Sequence, residues 1–303
     1  MGNHFEITVV CESQTAADYF TSLAIAEIKR IETLLSTFKT NSQTNQINAN
    51  AGIVPVKVDK EVYRLIERSV RISGMTQGAF DISYGSLDKS FWNFDTTMKS
   101  LPSPDKAKKS VKLINYKNVL LDPLNQTIFL TQKGMRIGFG GIGKGYAAEC
   151  AKNLLRANGV NAGVINASGD LCTWGYQPTG KPWNIGIINP ALPSTVFSCI
   201  DLHDMAIATS GNYEKYVVID GKKYSHTIDP RTGFPVHGIC SVSIISPNAE
   251  LCDALATPVM VMGVKQGLHL INQINQVAAV VIDDHNRLFT SNNIKIKELC
   301  LQE

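Results

Sequence analysis

Between Ile137 and Glu149 the chain reads Ile-Gly-Phe-Gly-Gly-Ile-Gly-Lys-Gly-Tyr-Ala-Ala-Glu, then enters an apolar segment of helical spacing that stops at Asn158-Gly159. Five glycines fall among the eight positions from Gly138 to Gly145, with Lys144 between two of them. Such a stretch lets backbone lie against a ligand with its N–H groups aimed at it, and the helix behind adds a positive end, so an anion, above all a phosphate, suits it. The same spacing also reads as a tight strand-to-helix connection whose glycines permit close packing. Two familiar phosphate motifs do not fit. A Walker loop needs Ser or Thr after its Gly-Lys pair, where Gly145 stands here, and a dinucleotide fingerprint needs a parallel βαβ unit with an acid about 20 residues on.

At 303 residues the chain is long enough to bury a substantial core. With 44% apolar residues, 18% charged residues and a net charge of +3, it has the balance of an ordinary globular protein. That balance excludes a nucleic-acid binder of the electrostatic kind, and the densest basic run, Lys106, Lys108 and Lys109, reads as a solvated helix face. No run of about 18 apolar residues is present, so no transmembrane segment is expected. A strand-like alternation begins at Phe5, directly after Met1 to His4, so no signal peptide is expected in the sequence as it stands. The seven cysteines form no Cys-x-x-Cys pair and read as reduced core thiols.

The spacing predicts a helix capped by Thr15 and ending near Leu35, a polar loop from Thr40 to Asn50, an edge strand near Ile53 to Val58 and a helix from Glu61 to Ile72. Two prolines mark Leu101 to Asp105 as a surface loop, and Val119 to Leu121 with Thr127 to Leu130 as a hairpin. Strands are expected at Ala162 to Asn166, Trp183 to Ile188, Val196 to Ile200, Met205 to Ala208 and Ile239 to Ile245. Asp220-Gly221 is the strongest hairpin turn in the chain, and helices from Glu250 to Met262 and Lys265 to Ile274 precede a last hairpin. Hairpins outnumber βαβ crossovers, which implies an α+β fold with mainly antiparallel sheet, and no linker divides residues 1 to 303 into separate domains.

Three clusters carry possible chemistry. Thr209-Ser210-Gly211-Asn212-Tyr213 reads as a polar turn between strands, and Ser225-His226-Thr227-Ile228-Asp229-Pro230 places a histidine and an acid at a strand end. Asp253 and Thr257 share a helical face in an apolar context, where they satisfy each other, bond to backbone, or hold a hard cation such as magnesium through oxygen ligands. Pro258 removes the hydrogen bond expected at the Ala254 carbonyl, so the helix is expected to bend or restart there and open the Thr257 side. Beside a phosphate loop and a cation pair, His226 is a candidate base.

Together these segments resemble the ApbE-like family, the FAD:protein FMN transferases, over nearly the whole chain and in the same order. Met1-Gly2-Asn3 is similar to the family's opening Met-Gly-Thr, Leu35-Ser36-Thr37-Phe38 to its Leu-Ser-Thr-aromatic, and Gly78-Ala79-Phe80-Asp81-Ile82 to its Gly-x-Phe-Asp segment. The run Gly140 to Ala147, Thr209-Ser210-Gly211-x-Tyr213, Ser225-His226-x-Ile228-Asp229-Pro230-x-Thr232-Gly233 and Asp253-Ala254-x-Ala256-Thr257 match almost letter for letter.

The resemblance implies a duplicated T-fold-like α+β domain that uses FAD as substrate and Mg2+ as cofactor. It would move FMN onto a threonine or serine hydroxyl of a target flavoprotein and release AMP. By position, Gly143 (through its carbonyl), Asp253 and Thr257 would hold the metal, and Met1, Phe38, Ala79, Phe80, Asp81, Gly140, Tyr146 and the Ile228 backbone would contact FAD. His226 would activate the acceptor hydroxyl, and Lys144 would join the metal in offsetting phosphate charge. A magnesium-dependent FAD pyrophosphatase and a non-catalytic FAD-binding protein are the alternatives. The chain departs from the family at Gly138, usually Asp, at Gly143, usually Ala, at Ser168, commonly Gly, and at Glu149, often Asp. Family members are commonly exported, lipid-anchored proteins; the sequence as it stands reads either as a cytoplasmic form or as one whose leader was removed.

Overall fold

The computed structural model describes residues 3–92, 98, 100–189, 192–212, 216–219 and 221–294. The chain divides into two compact units. One comprises Met1–Arg30, Ile142–Tyr213 and Gly238–Glu303, the other Ile31–Gly141 and Glu214–His237. The glycine run passes from one unit to the other between Gly141 and Ile142.

The first unit is built on a seven-stranded sheet in the order Phe5–Val9, Gly163–Ala167, Asp170–Trp174, Ala206–Gly211, Ile239–Ser246, Ala278–Asp283, Leu288–Thr290. Every neighbouring pair is antiparallel, as the hairpin signals imply. Two helices, Gly143–Ala157 and Ala249–Ile271, pack against each other and against this sheet. Alternation along the strands then sorts the side chains. Ile207, Ile245, Ala278 and Val280 form a cluster with Ile187 and Leu202 of the hairpin Trp183–Asn189 and Leu192–Leu202, while Ala206 and Ser246 share bonds with helix residue Cys252.

The helix Ala249–Ile271 is long and apolar enough to cross a membrane by length and composition. It is not one straight rod. Gly263 has φ 82° and ψ 166°, so the segments 249–262 and 264–271 meet at a corner. A Cβ on Gly267 would lie 2.7 Å from Val259 Cγ1, although residues eight apart on a straight helix stand about 12 Å apart. The break falls near the expected boundary between two helices. The expected restart at Pro258 is not found: helix continues through that residue, which is buried.

None of the six cysteines described is in a disulfide, and only Cys172 and Cys252 are buried, which narrows the expectation of core thiols to these two. Burial pushes both thiols up to about 12. Both are expected to resist iodoacetamide at pH 8 in the folded protein, while exposed Cys199 reacts; peptide mapping after timed labelling checks this. Labelling of Cys172 or Cys252 as fast as Cys199 would mean that the layer between helices and sheet opens readily.

In the second unit the helix Lys60–Met75 buries Val62, Tyr63, Leu65, Ile66 and Ile72. A small sheet in the order Val56–Lys57, Thr127–Leu130, Val119–Asp122 belongs to the same unit. Leu87, Trp92, Ala107, Val111 and Ile228 form another buried cluster. The strands Tyr216–Ile219 and Lys222–Ser225 pair as a hairpin, as expected, and lead into His226; Asp220 of the expected turn lies outside the described residues.

Several elements differ from the sequence reading. The stretch from Thr40 to Asn50 contains a helix, Gln43–Ala49, capped by the Ser42 hydroxyl accepting from the Asn45 N–H; it has too few apolar residues to show a period. The region Leu101 to Asp105 opens a helix, Pro104–Ser110, with proline at its first position, where no donor is needed. The first helix, Gln14–Leu35, starts one residue before Thr15, and the Ser13 hydroxyl accepts from the Ala16 N–H. Thr209, Ser210 and Gly211 lie in strand rather than in a turn, paired with Ser243, Val242 and Ser241.

Candidate functional site

In the first unit the glycine-headed helix, Gly143–Ala157, starts without a side-chain cap, since Ile142 at its N-cap offers none. Its orphan N–H groups need partners from elsewhere. Asp253 supplies one: its Oδ2 accepts from the Gly145 N–H at 3.0 Å. Close approach makes this possible. A Cβ on Gly145 would lie 2.1 Å from the Ala249 carbonyl oxygen and 2.8 Å from Asp253 Cβ, so only glycine lets the two helices meet here. The packing reading of the glycine run therefore holds at Gly145, whose N–H is taken by the chain's own Asp253 carboxylate.

Glu149 holds the second helix in register. Its Oε2 accepts from the Ala249 N–H at 2.9 Å, while Oε1 pairs with buried Lys152 at 2.7 Å. Asp253 lies one turn further along the same helix. One turn on again, Thr257 Oγ1 is 3.0 Å from Ser210 Oγ. Asp253 and Thr257 thus each engage a partner outside their own helix.

Lys144 Nζ donates to Asp170 Oδ2 at 2.5 Å and lies 3.5 Å from Asp253 Oδ1. Asp170 and Asp253 are both buried. Burial tends to lower the Lys144 ammonium, but Asp253 and Asp170 outweigh it and hold the group above the ordinary lysine range. Burial raises the Asp170 carboxyl, the charge of Asp253 adds to the rise and Lys144 opposes it. Two carboxylates around one ammonium leave a formal excess of one negative charge in a largely water-excluded place. Such a cluster is short of positive charge. A hard divalent cation fits it, because Asp253 Oδ1 and the Thr257 hydroxyl are oxygen donors of the type magnesium takes. Gly143, buried as the first helical residue, adds only a carbonyl, which glycine supplies as well as alanine.

The sequence reading assigned no role to Asp170. It sits at the head of its strand because Ser168-Gly169 closes a two-residue turn, both at positive φ, between paired Ala167 and Asp170. The Ser168 hydroxyl donates to the His4 carbonyl and steadies a conformation that glycine would adopt more easily. A lone acid directly before the apolar run Leu171 to Trp174 was the available signal. Among the residues predicted for this unit, Tyr146 is buried in the first turns of the glycine-headed helix, and Met1 lies outside the described residues.

The other candidates belong to the second unit. Asn48 grips the start of the glycine run, accepting from the Ile137 N–H at 2.8 Å and donating to its carbonyl at 3.1 Å. A Cβ on Gly138 would meet only Thr37 Cγ2, at 3.8 Å, so packing there leaves room for the aspartate that the family usually carries. Next to Thr37, Phe38 is 90% exposed. Gly140 faces open space, and the Phe80 ring lies 3.5 Å from a Cβ placed on Gly141. Phe38, Phe80 and Gly140 thus come from segments that meet around one loop.

Ala79, Phe80 and Asp81 are themselves buried. Both Asp81 oxygens are committed, Oδ1 accepting from the Ser83 N–H and hydroxyl and Oδ2 from the Tyr116 N–H, which caps the short helix Ile82–Ser86. His226 is exposed just beyond its strand. Ile228 is buried, bridges Pro235 and donates its N–H to the Tyr84 hydroxyl at 3.3 Å. The following turn depends on Gly233 at φ 78°, where a Cβ would lie 2.0 Å from the Ala107 carbonyl oxygen.

An antiparallel sheet backed by two helices, with a half-buried lysine between two buried carboxylates at the glycine-headed end of one of them, places this protein in the α+β class. The chain belongs to the ApbE family, whose sequence model matches residues 1–281. It is 31% identical over 285 residues to the FAD:protein FMN transferase of Treponema pallidum, covering 88% of this chain and 78% of that protein. To a Klebsiella pneumoniae protein of the same description it is 30% identical over 272 residues, covering 89% and 84%. Among solved structures, the ApbE protein of Thermotoga maritima superposes with a TM-score of 0.85 at 31% identity, over 96% of this chain and 94% of that one. The flavinyl transferase ApbE of Pseudomonas stutzeri gives 0.83 at 26% identity, over 96% and 92%. The expected ApbE-like α+β architecture is the one found.

Proposed function

We propose that this chain is a magnesium-dependent FAD:protein FMN transferase, moving the FMN half of FAD onto a threonine or serine hydroxyl of a target flavoprotein. The supporting observation is the junction of Asp253 with the Gly145 N–H and the Lys144 ammonium, in a chain whose relatives carry that activity in their names. The acceptor oxygen attacks the FMN phosphorus, the pyrophosphate bond breaks, and AMP leaves with the bridging oxygen. His226, exposed where a protein substrate can reach it, takes the hydroxyl proton. Phe38 offers an exposed ring for the flavin, with Ala79, Phe80, Gly140, Tyr146, Met1 and the Ile228 backbone as further contacts; Asp81, its carboxylate committed, contributes backbone.

Asp253, Thr257 and the Gly143 carbonyl would hold Mg2+, which when bound offsets the charge of the diphosphate. Lys144 adds a positive charge at the helix head. Phosphoryl transfer rests mainly on this kind of positioning and electrostatics.

Incubating the protein with FAD, Mg2+ and a candidate acceptor is expected to raise the acceptor's mass by one FMN moiety; free FMN without adduct would overturn transfer in favour of hydrolysis. His226→Ala is expected to slow adduct formation by on the order of 10²–10⁴ while leaving FAD binding in place. Transfer at the full rate would remove His226 from the mechanism.

A further inference from the structure

The cation reading of Asp253 leaves a competition that another residue has to resolve. Asp253 Oδ2 is committed to the Gly145 N–H, so Oδ1 is the oxygen left for a metal ion. That same Oδ1 faces the Lys144 ammonium at 3.5 Å. A lysine free to close that gap would neutralise the oxygen and stand in the ion's place. In the structure Lys144 lies nearer to Asp170, at 2.5 Å, than to Asp253.

We propose that Asp170 is a positioning residue that draws the Lys144 ammonium away from Asp253 and so keeps Asp253 Oδ1 available to a divalent cation. The inference rests on the metal-dependent reading of this site. Asp170 is built for such a role. It is 3% exposed, it begins a central strand of the sheet, and its backbone is fixed by the pairing with Ala167 across the Ser168-Gly169 turn. A carboxylate held this firmly sets where the lysine head rests, whereas an exposed one would follow it. The arrangement also keeps the lysine's positive charge beside the helix head, where the diphosphate is to bind.

The test is binding of Mn2+ alone to the full chain, followed by loss of the free-ion EPR signal, with Mg2+ as competitor and far-UV CD and thermal midpoint recorded for each variant. Asp170→Asn keeps the shape and removes the charge; Lys144 then turns to Asp253, and Mn2+ affinity is expected to fall by roughly 10–100-fold. Adding Lys144→Met to that variant removes the competitor and is expected to restore affinity to within about threefold of the starting protein, since Asp253 is then free. A purely structural Asp170 would not be rescued in this way. If the unaltered protein binds no Mn2+, the metal reading itself fails, and this inference with it. If it binds Mn2+ and Asp170→Asn binds equally well, only the positioning role is overturned. A double variant as weak as the single one, both folded, would overturn it too.

Discussion

Gly145→Ala is expected to destabilise the protein by about 3 kcal/mol or more, the upper end of what overpacking costs. For a chain of this size that corresponds to a fall of roughly 5–10 °C in thermal midpoint. The new methyl would lie 2.1 Å from the Ala249 carbonyl oxygen and 2.7 Å from its carbon, and backbone cannot swing aside as a side-chain tip can. The helices must separate, and Asp253, whose Cβ would be 2.8 Å away, moves with the second one. Mn2+ binding should weaken in the same variant, because the bond from the Gly145 N–H that orients Asp253 is lost. Thermal unfolding and metal titration on one sample check both. A variant with unchanged midpoint and affinity would mean that the helix contact is looser than the coordinates place it.

Asp253→Asn is expected to abolish measurable Mn2+ binding and to slow FMN transfer by about 10³-fold, equivalent to roughly 4 kcal/mol of lost charge stabilisation. Asparagine is the better probe than alanine. Its carbonyl can still accept from the Gly145 N–H, whereas alanine leaves that buried donor unsatisfied at a further cost of about 1–3 kcal/mol and confuses folding with chemistry. Comparing initial rates of adduct formation with the thermal midpoint separates the two effects. An asparagine variant that folds and transfers FMN at more than about a tenth of the normal rate would remove Asp253 from the cation site.

Gly138 bears on the same reaction from a different direction. Its surroundings would accept a side chain, so steric demand does not explain glycine there, and nothing else in the structure does.

Long elements with a strong period were legible. The helix Lys60–Met75 and the strands Gly163–Ala167 and Ile239–Ser246 lie within a few residues of where apolar spacing puts them. The helix behind the glycines ends at its Asn158 cap, and Tyr216–Ile219 pairs with Lys222–Ser225 where the Asp-Gly turn signal puts a hairpin. The elements missed were those whose cause is not periodic. Gln43–Ala49 depends on one serine cap and long-range packing. Asp170–Trp174 is an interior strand buried along most of its length, polar Asp170 and Thr173 included, so its letters carry no alternation of buried and exposed positions to read. The helix does not restart at Pro258, while it does break at the positive φ of Gly263, beside the boundary expected between Met262 and Lys265.

What the chain's letters determined by themselves is local: where helices and turns start and stop, and which oxygen-bearing side chains share a helical face. Those are interactions within a few residues, and their rules need no knowledge of the rest of the molecule. Which charges meet was decided only by the tertiary structure. Lys144 is 26 residues from Asp170 and 109 from Asp253, and nothing in their spacing indicates that one ammonium lies between two buried carboxylates. Their mutual electrostatics exist only once the sheet has brought a strand head and two helices together around Gly145.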